Sequence, residues 1–300
     1  MGVDISHIIR HDFRQVGDRI ASRDFVRKTI ERLKKNLFIQ GVDDCFSYEY
    51  DEEYNETRFF LPIYDAEFTL HNGFWEIDSF LHYCQIVMHE GEHFWLRRLT
   101  FDIARALGQD EAWYAEEYYT WNGGYCEEPE TTFEQWLEGS VKKYGKRIPE
   151  FDQASILRQG DVHIPDYETI YHDSFRECNE LYNKLQSKLG DYRLLGLYRT
   201  GKDFLRCKKE GGLFLISEKT LKPLFDKPVE GILQSLNGPE FIVREDGLSA
   251  VFDGDGNRLT DFVKGKFKWK WAPCDPIKDK WRDPKIIYNE DAGIELLLNQ

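Results

Sequence analysis

The chain has 300 residues, of which 41% are hydrophobic, 15% aromatic and 31% charged, with a formal charge of −14 at pH 7. That is a globular composition of about two domains, and its apolar runs fall short of the roughly 20 residues a membrane-spanning helix needs. A polyanion of this size repels phosphates, so nucleic acid is not an expected ligand; with those short apolar runs, and with acids and histidines interrupting MGVDISHIIRHDF where a signal peptide needs an apolar stretch, no membrane association and a cytoplasmic protein are expected.

Taken in chain order, His7 and His11 in SHIIRHDF are spaced i, i+4 and are expected as surface histidines on an amphipathic helix. The run from Ser22 to Phe38 predicts a helix capped by Ser22, with Val26, Ile30, Leu33 and Leu37 on one face. From Cys45 to Phe80 aromatic and polar residues alternate, and Asn72-Gly73 between EFTLH and FWEID predicts a β-hairpin. From Trp95 the period changes: Trp95, Leu99, Ile103 and Leu107 mark a helix that Gly108 stops.

Between these elements VMHEGEHFW places His89, Glu90 and His93 in H-E-x-x-H spacing. On a helix that spacing sets both imidazoles on one face to share a zinc, with the Glu beside them to polarise a metal-bound water. The run resembles the HExxH zinc peptidases. The resemblance implies His89 and His93 as metal ligands and Glu90 as general base, with Glu111, Glu116 and Glu117 as the carboxylates available for a third ligand. Gly91 stands inside the run, where it costs a helix about 1 kcal/mol relative to Ala. Zinc catalysis is therefore kept as the second hypothesis, and a protein without a cofactor as the first.

Charge is unevenly spread. Residues 1–150 hold 17 Lys and Arg against 29 Asp and Glu, whereas residues 191–272 hold 15 against 12. Within the acidic half, a short helix is expected from Asp110, in DEAWYAEEYYTWNGGYCEEP. There Trp113, Tyr114, Tyr118, Tyr119, Trp121 and Tyr125 are interleaved with carboxylates that include Glu116 and Glu117. Rigid aromatics beside carboxylates suit the recognition of Lys- and Arg-rich surfaces. These eight residues are the candidate partner-binding set, and their partner is expected to be a basic protein. The alternative for any one ring, Trp113 and Tyr118 above all, is core packing.

Two capping boxes follow, Thr131 with Glu134 before FEQWLEGSVKKY and Ser174 with Glu177 before FRECNELYNKLQSKLG. After Gly190 the sequence turns to strands and repeats itself. Residues 200–225 align with 237–262, matching Gly201 to Gly238, Phe204 to Phe241, Gly212 to Gly247, Leu213 to Leu248 and Ile216 to Val251. Each unit reads as strand, glycine turn, strand, and must stack on a neighbour to bury its apolar face. The repeats resemble WG-type β-modules, with Gly211-Gly212 and Asp246-Gly247 at the turns, and the resemblance implies a scaffold or recognition role.

Asp253, Asp255 and Asn257 have calcium-loop spacing. Arg258 and Lys264 stand where such a loop needs Gly and Glu, so a hairpin turn is expected instead. The six cysteines show no C-x-x-C pair and are expected as reduced thiols.

The fold expectation is α+β. An acidic domain over 1–190 has an N-terminal helix, a meander and a helical second half; a β-repeat domain follows over 191–272, then a tail over 273–300. The function expected is a non-enzymatic binding protein, of the immunity or antitoxin type, that inhibits a basic partner.

Overall fold

The computed structural model describes residues 5–37, 47–51, 56–61, 66–79, 94–116, 131–144, 171–234, 239–271 and 285–298. The fold is α+β. Two compact units divide the chain, Met1–Lys188 with Leu194–Tyr198, and Leu189–Arg193 with Arg199–Gln300.

The first unit is built on a seven-stranded antiparallel sheet in the order β2-β3-β4-β5-β1-β6-β7. Its strands are β1 (Ile5–Arg10), β2 (Ser47–Asp51), β3 (Glu56–Leu61), β4 (Ala66–His71), β5 (Phe74–Ser79), β6 (Ala112–Glu116) and β7 (Tyr171–Asp173). β4 and β5 form the hairpin expected at Asn72-Gly73, with Gly73 at φ 96°. β1 was expected as helix. It is instead the central strand, pairing with β5 on one side and β6 on the other, so Ile8 and Ile9 are buried on opposite faces and His7 is buried with them. A strand covered on both faces has no polar side and therefore no alternation to betray it.

Helix α1 (Arg19–Leu37) begins earlier than Ser22: Asp18 caps it, its carboxylate accepting the N–H groups of Ile20 and Ala21 at 3.0 Å. Ser22 is buried and donates its hydroxyl to the Val16 carbonyl. Helix α2 (Phe94–Leu107) ends at Gly108 as expected. Gln109 N–H reaches the Ala104 carbonyl and Gly108 N–H that of Arg105, with Gly108 at φ 81°. In helix α3 (Phe133–Tyr144) the capping box lies one residue past the expected pair: Thr132 Oγ1 accepts Gln135 N–H and the Gln135 side chain accepts Thr132 N–H. Helix α4 (Arg176–Lys188) completes the unit.

One face of the sheet carries His7, Ile9, Phe59, Phe68, Leu70, Trp75 and Ile77. Phe25 of α1 stacks on Trp75 at 5.7 Å between ring centroids, and Thr100 of α2 bonds His7 at 2.6 Å, which places both helices over this face. A buried ion cluster ties α2 to β7 and α4. Arg97 donates to both Asp173 oxygens at 2.6 and 2.8 Å and to Glu177 at 2.6 Å. Burial disfavours the Arg97 charge, but these two carboxylates outweigh it and hold the guanidinium firmly protonated. Asp102 of α2 accepts the backbone N–H groups of Leu197 and Tyr198 at 2.8 Å.

The second unit holds three small antiparallel sheets. β9 (Phe204–Lys209) and β10 (Gly212–Ser217) lie in a sheet bordered by β8 (Arg193–Leu194). The second sheet has β11 (Gly231–Gln234), β12 (Phe241–Glu245) and β13 (Leu248–Phe252). The third has β14 (Lys268–Trp271), β15 (Lys285–Asn289) and β16 (Ile294–Leu298). In the first two hairpins both turn residues have positive φ, Glu210 (51°) with Gly211 (86°) and Asp246 (50°) with Gly247 (73°), the type I′ geometry that fits strand twist. Gly211, rather than Gly212, is thus the structural counterpart of Gly247. Residues 273–300, expected as a tail, contain β15 and β16. Asp253 closes a tight turn, accepting the N–H groups of Asp255 and Asn257 at 2.9 and 2.8 Å, in line with the hairpin expectation.

Removing Arg97 strands Asp173 in the interior, so Arg97→Ala is expected to lower unfolding free energy in urea by about 3 kcal/mol. Glu177→Gln, at the half-exposed end of the cluster, should cost less than about 1 kcal/mol. Burial pushes the His7 imidazole down to about 4; burial, with a smaller effect of Arg14, pushes His11 down to about 3. Both bind protons more readily when unfolded, so their contribution is complete above pH 6.5 and is lost as pH falls toward those values. Relative to His11→Phe, the wild type should lose about 1.4 kcal/mol per pH unit below that point in a pH series of urea titrations.

Candidate functional site

Direct cross-strand partners share a face, so the strand register defines the opposite side of the large sheet. Across it run Glu49, Arg58, Thr69, Glu76, Ile8, Trp113 and His172, with Ser47, Phe60, Glu67, Asp78 and Ser6 in the adjoining row. Helix α3 covers the β1, β5 and β6 part of this face, where Ile8, Phe74, Trp113, Phe133 and Trp136 form a closed apolar cluster. Arg10 lies at its margin, bonded to Glu134 at 2.8 Å and 4.5 Å from the Phe133 ring centre.

Carboxylates hold the positions toward β2. Glu49, Asp51, Glu56, Glu67, Glu76 and Asp78 all fall on this face, and Arg58 is the one Arg or Lys at these positions among the described residues of β2 to β5. Two pairs are like-charged and directly opposite, Asp51 with Glu56 across β2 and β3 and Glu67 with Asp78 across β4 and β5. Such pairs destabilise a sheet, in contrast to the opposite-charge pairs that normally line one. Arg58 bonds Glu67 at 3.3 Å, in a partly exposed pair. Deeper in, His71 at 1% exposure gives its Nε2–H to Glu76 at 3.0 Å and stacks on Phe74 with 4.6 Å between centroids. The face thus grades from a packed aromatic patch under α3, through a buried His–Glu pair, to strand positions held mostly by Asp and Glu.

The expected partner-binding set is placed differently. Trp113 is 7% exposed and packed 4.7 Å from Phe133 and 4.8 Å from His172, so it belongs to the core. The segment from Asp110 is strand β6 and not a helix, because Trp113 and Ala112 face the two covered sides of the sheet. Tyr114 and Glu116 lie within β6. Glu117, Tyr118, Tyr119, Trp121 and Tyr125 are outside the described residues, as are His89, Glu90 and His93. Among the described residues no group of three or more His, Cys, Asp or Glu is arranged to hold a metal ion. Burial pushes the Cys178 and Cys207 thiols up to about 12, which makes them structural and not nucleophilic at neutral pH.

No known family model matches the chain. Neither a curated protein nor a solved structure is similar to it. The WG-type and zinc-peptidase resemblances therefore rest on the quoted residues alone. The carboxylate face, in contrast, had a signal in the sequence: Glu49 and Asp51 in SYEYD, and Glu76 and Asp78 in FWEIDS, are spaced by two, the period that keeps residues on one side of a strand.

Neutralising one member of a repelling pair tests the register. Asp78→Asn is expected to raise unfolding free energy by a few tenths of a kcal/mol up to about 1 kcal/mol at low ionic strength, a gain that fades in high salt. Urea titration at two salt concentrations measures it.

Proposed function

We propose that this chain is a non-catalytic recognition protein that holds a basic protein partner on the carboxylate face of its seven-stranded sheet, in the manner of an immunity or antitoxin protein that neutralises a basic toxin. The observation that carries this reading is the directly opposed pairs Asp51–Glu56 and Glu67–Asp78 on one face. Their repulsion is a standing cost to the folded chain, and Lys or Arg side chains from a partner relieve it, so the cost returns as binding free energy.

The charge distribution supports the same reading. The acidic excess lies in the first half of the sequence, where it raises encounter rates with cationic surfaces and disfavours phosphates. A sheet face is also a rigid platform, so its carboxylates are presented without the ordering cost a loop would add. The β-repeat unit, with its short stacked sheets, suits a scaffold role.

Binding of a lysine-rich peptide such as decalysine separates a specific face from mere net charge. The triple variant Glu49→Lys/Glu67→Lys/Asp78→Lys is expected to weaken binding by more than about tenfold, roughly 1.4 kcal/mol. The control Asp191→Lys/Asp246→Lys/Asp261→Lys carries the same change in net charge at exposed positions of the other unit and should bind within a few-fold of wild type. Wild-type affinity should drop steeply as salt rises. Equal losses in the two triples would contradict the assignment of the face.

A further inference from the structure

Four polar side chains of α2 and α4 converge on one short stretch of backbone, Leu194–Tyr198. From α4, Gln186 accepts the Leu194 N–H and Tyr182 donates its hydroxyl to the Leu194 carbonyl, both at 2.8 Å. From α2, Asp102 accepts the N–H groups of Leu197 and Tyr198, one on each carboxylate oxygen, at 2.8 Å, and Arg98 donates to the Leu197 carbonyl at 3.4 Å. In every one of these bonds the segment contributes backbone alone.

The segment is a strap laid over two packed helices, where Phe101 of α2 and Tyr182 of α4 stand 6.3 Å apart between ring centroids. Leu194, Leu197 and Tyr198 are buried, and so is Asp102. Gly196 comes so close to the Asp102 carboxylate that a Cβ at this position would overlap it, so the strap needs glycine here. The strap belongs to the first unit, but the residues on either side of it, Leu189–Arg193 and those from Arg199 on, belong to the second. Both tethers carry a glycine with positive φ, Gly190 at 58° and Gly201 at 63°.

We propose that α2 and α4 form a peptide-recognition groove, that Leu194–Tyr198 is the chain's own ligand for it, and that an extended segment of a partner protein with the same Leu-x-Gly-Leu-Tyr pattern takes the strap's place. In such sites main-chain bonds give affinity and buried side chains give specificity. Here Gln186, Tyr182, Asp102 and Arg98 supply the first, and Leu194, Leu197 and the glycine beside Asp102 supply the second. Asp102 also sets the terms of exchange. A carboxylate in this interior that loses its N–H donors is costly, so the strap leaves only when a replacement brings two successive N–H groups. The strap is tethered at both ends and competes at high effective concentration, which keeps the groove shut in the free chain. This site goes beyond the proposed function: the carboxylate face takes Lys and Arg side chains, whereas the groove takes backbone and leucines.

The test uses the full chain and a fluorescent peptide with the sequence of residues 192–199. Leu197→Ala empties a fully buried position of the strap and should bind the peptide at least about tenfold more tightly than the wild type does. A peptide with Ala in place of the glycine should bind the same variant at least about tenfold more weakly, because its Cβ meets the Asp102 carboxylate. The two peptides carry equal charge, so attraction to the carboxylate face cancels in the comparison, and its failure is distinct from failure of that reading. Because Leu197→Ala must also fold, hydrogen exchange of the wild type gives a second readout. Peptide at millimolar concentration should speed exchange at the Leu197 and Tyr198 amides of the chain and leave the Ile8 and Ile9 amides of β1 unchanged. Equal binding of the two peptides overturns the proposal, as does a wild-type strap whose amides are indifferent to the peptide.

Discussion

Alternation of side chains along seven paired strands is the constraint on which the first unit depends. Ile9, Trp75, Ile77 and Phe68 are committed to the side covered by α1 and α2, and the intervening positions are committed to the other side whatever their chemistry. A slip of one residue at β4 or β5 would drive Glu67, Glu76 and Asp78 under the helices and expose Phe68 and Trp75, at a cost far beyond the stability of a domain. The apolar side therefore fixes the register, and the register in turn fixes like charges against one another on the polar side. The repulsion persists because the core overrides it.

The partial cover from α3 then decides where chemistry is available. Phe133 and Trp136 close the face over Ile8, Phe74 and Trp113, and this closure takes Trp113 out of any docking role. Toward β2 the register places Asp and Glu at most positions of this face. His71 and Glu76 stand at the boundary, a buried polar pair on the edge of an aromatic patch, and they anchor the transition from core to surface. On the other side of the sheet, Arg97 fastens β7 and α4 to α2 through Asp173 and Glu177, so the sheet is held at its far edge by charge as well as by packing.

Much of this was legible in the sequence where a local signal agrees with the tertiary structure. Asn72-Gly73 specified its hairpin, Gly108 its helix stop, and the Asp246-Gly247 turn the second repeat. Other elements had no such signal. β1 is buried on both faces, so His7-Ile8-Ile9 shows no period of two, and the spacing of His7 and His11 pointed to a helix instead. β6 was hidden because its five residues sit in an aromatic, acidic run that fits several conformations. The Ser22 cap was displaced because Asp18, four residues earlier, reaches two helix N–H groups at once. The third small sheet escaped notice because its hairpin crosses through Glu290-Asp291-Ala292-Gly293 in place of an acid-Gly pair, and because β14 is rich in lysine. The carboxylate face was present as a spacing of two in separate strands, but which strands lie side by side is a property of the sheet and not of any one segment.

The most direct test of the central claim is to map which carboxylates a cationic partner touches. Carbodiimide coupling of decalysine to the wild-type protein, followed by mass spectrometry of the linked peptides, reads this residue by residue. The account predicts links concentrated at Glu49, Glu56, Glu67 and Asp78, suppressed by salt. Links spread evenly over the acids of both units, or concentrated at Asp191, Asp246 and Asp261, would contradict it.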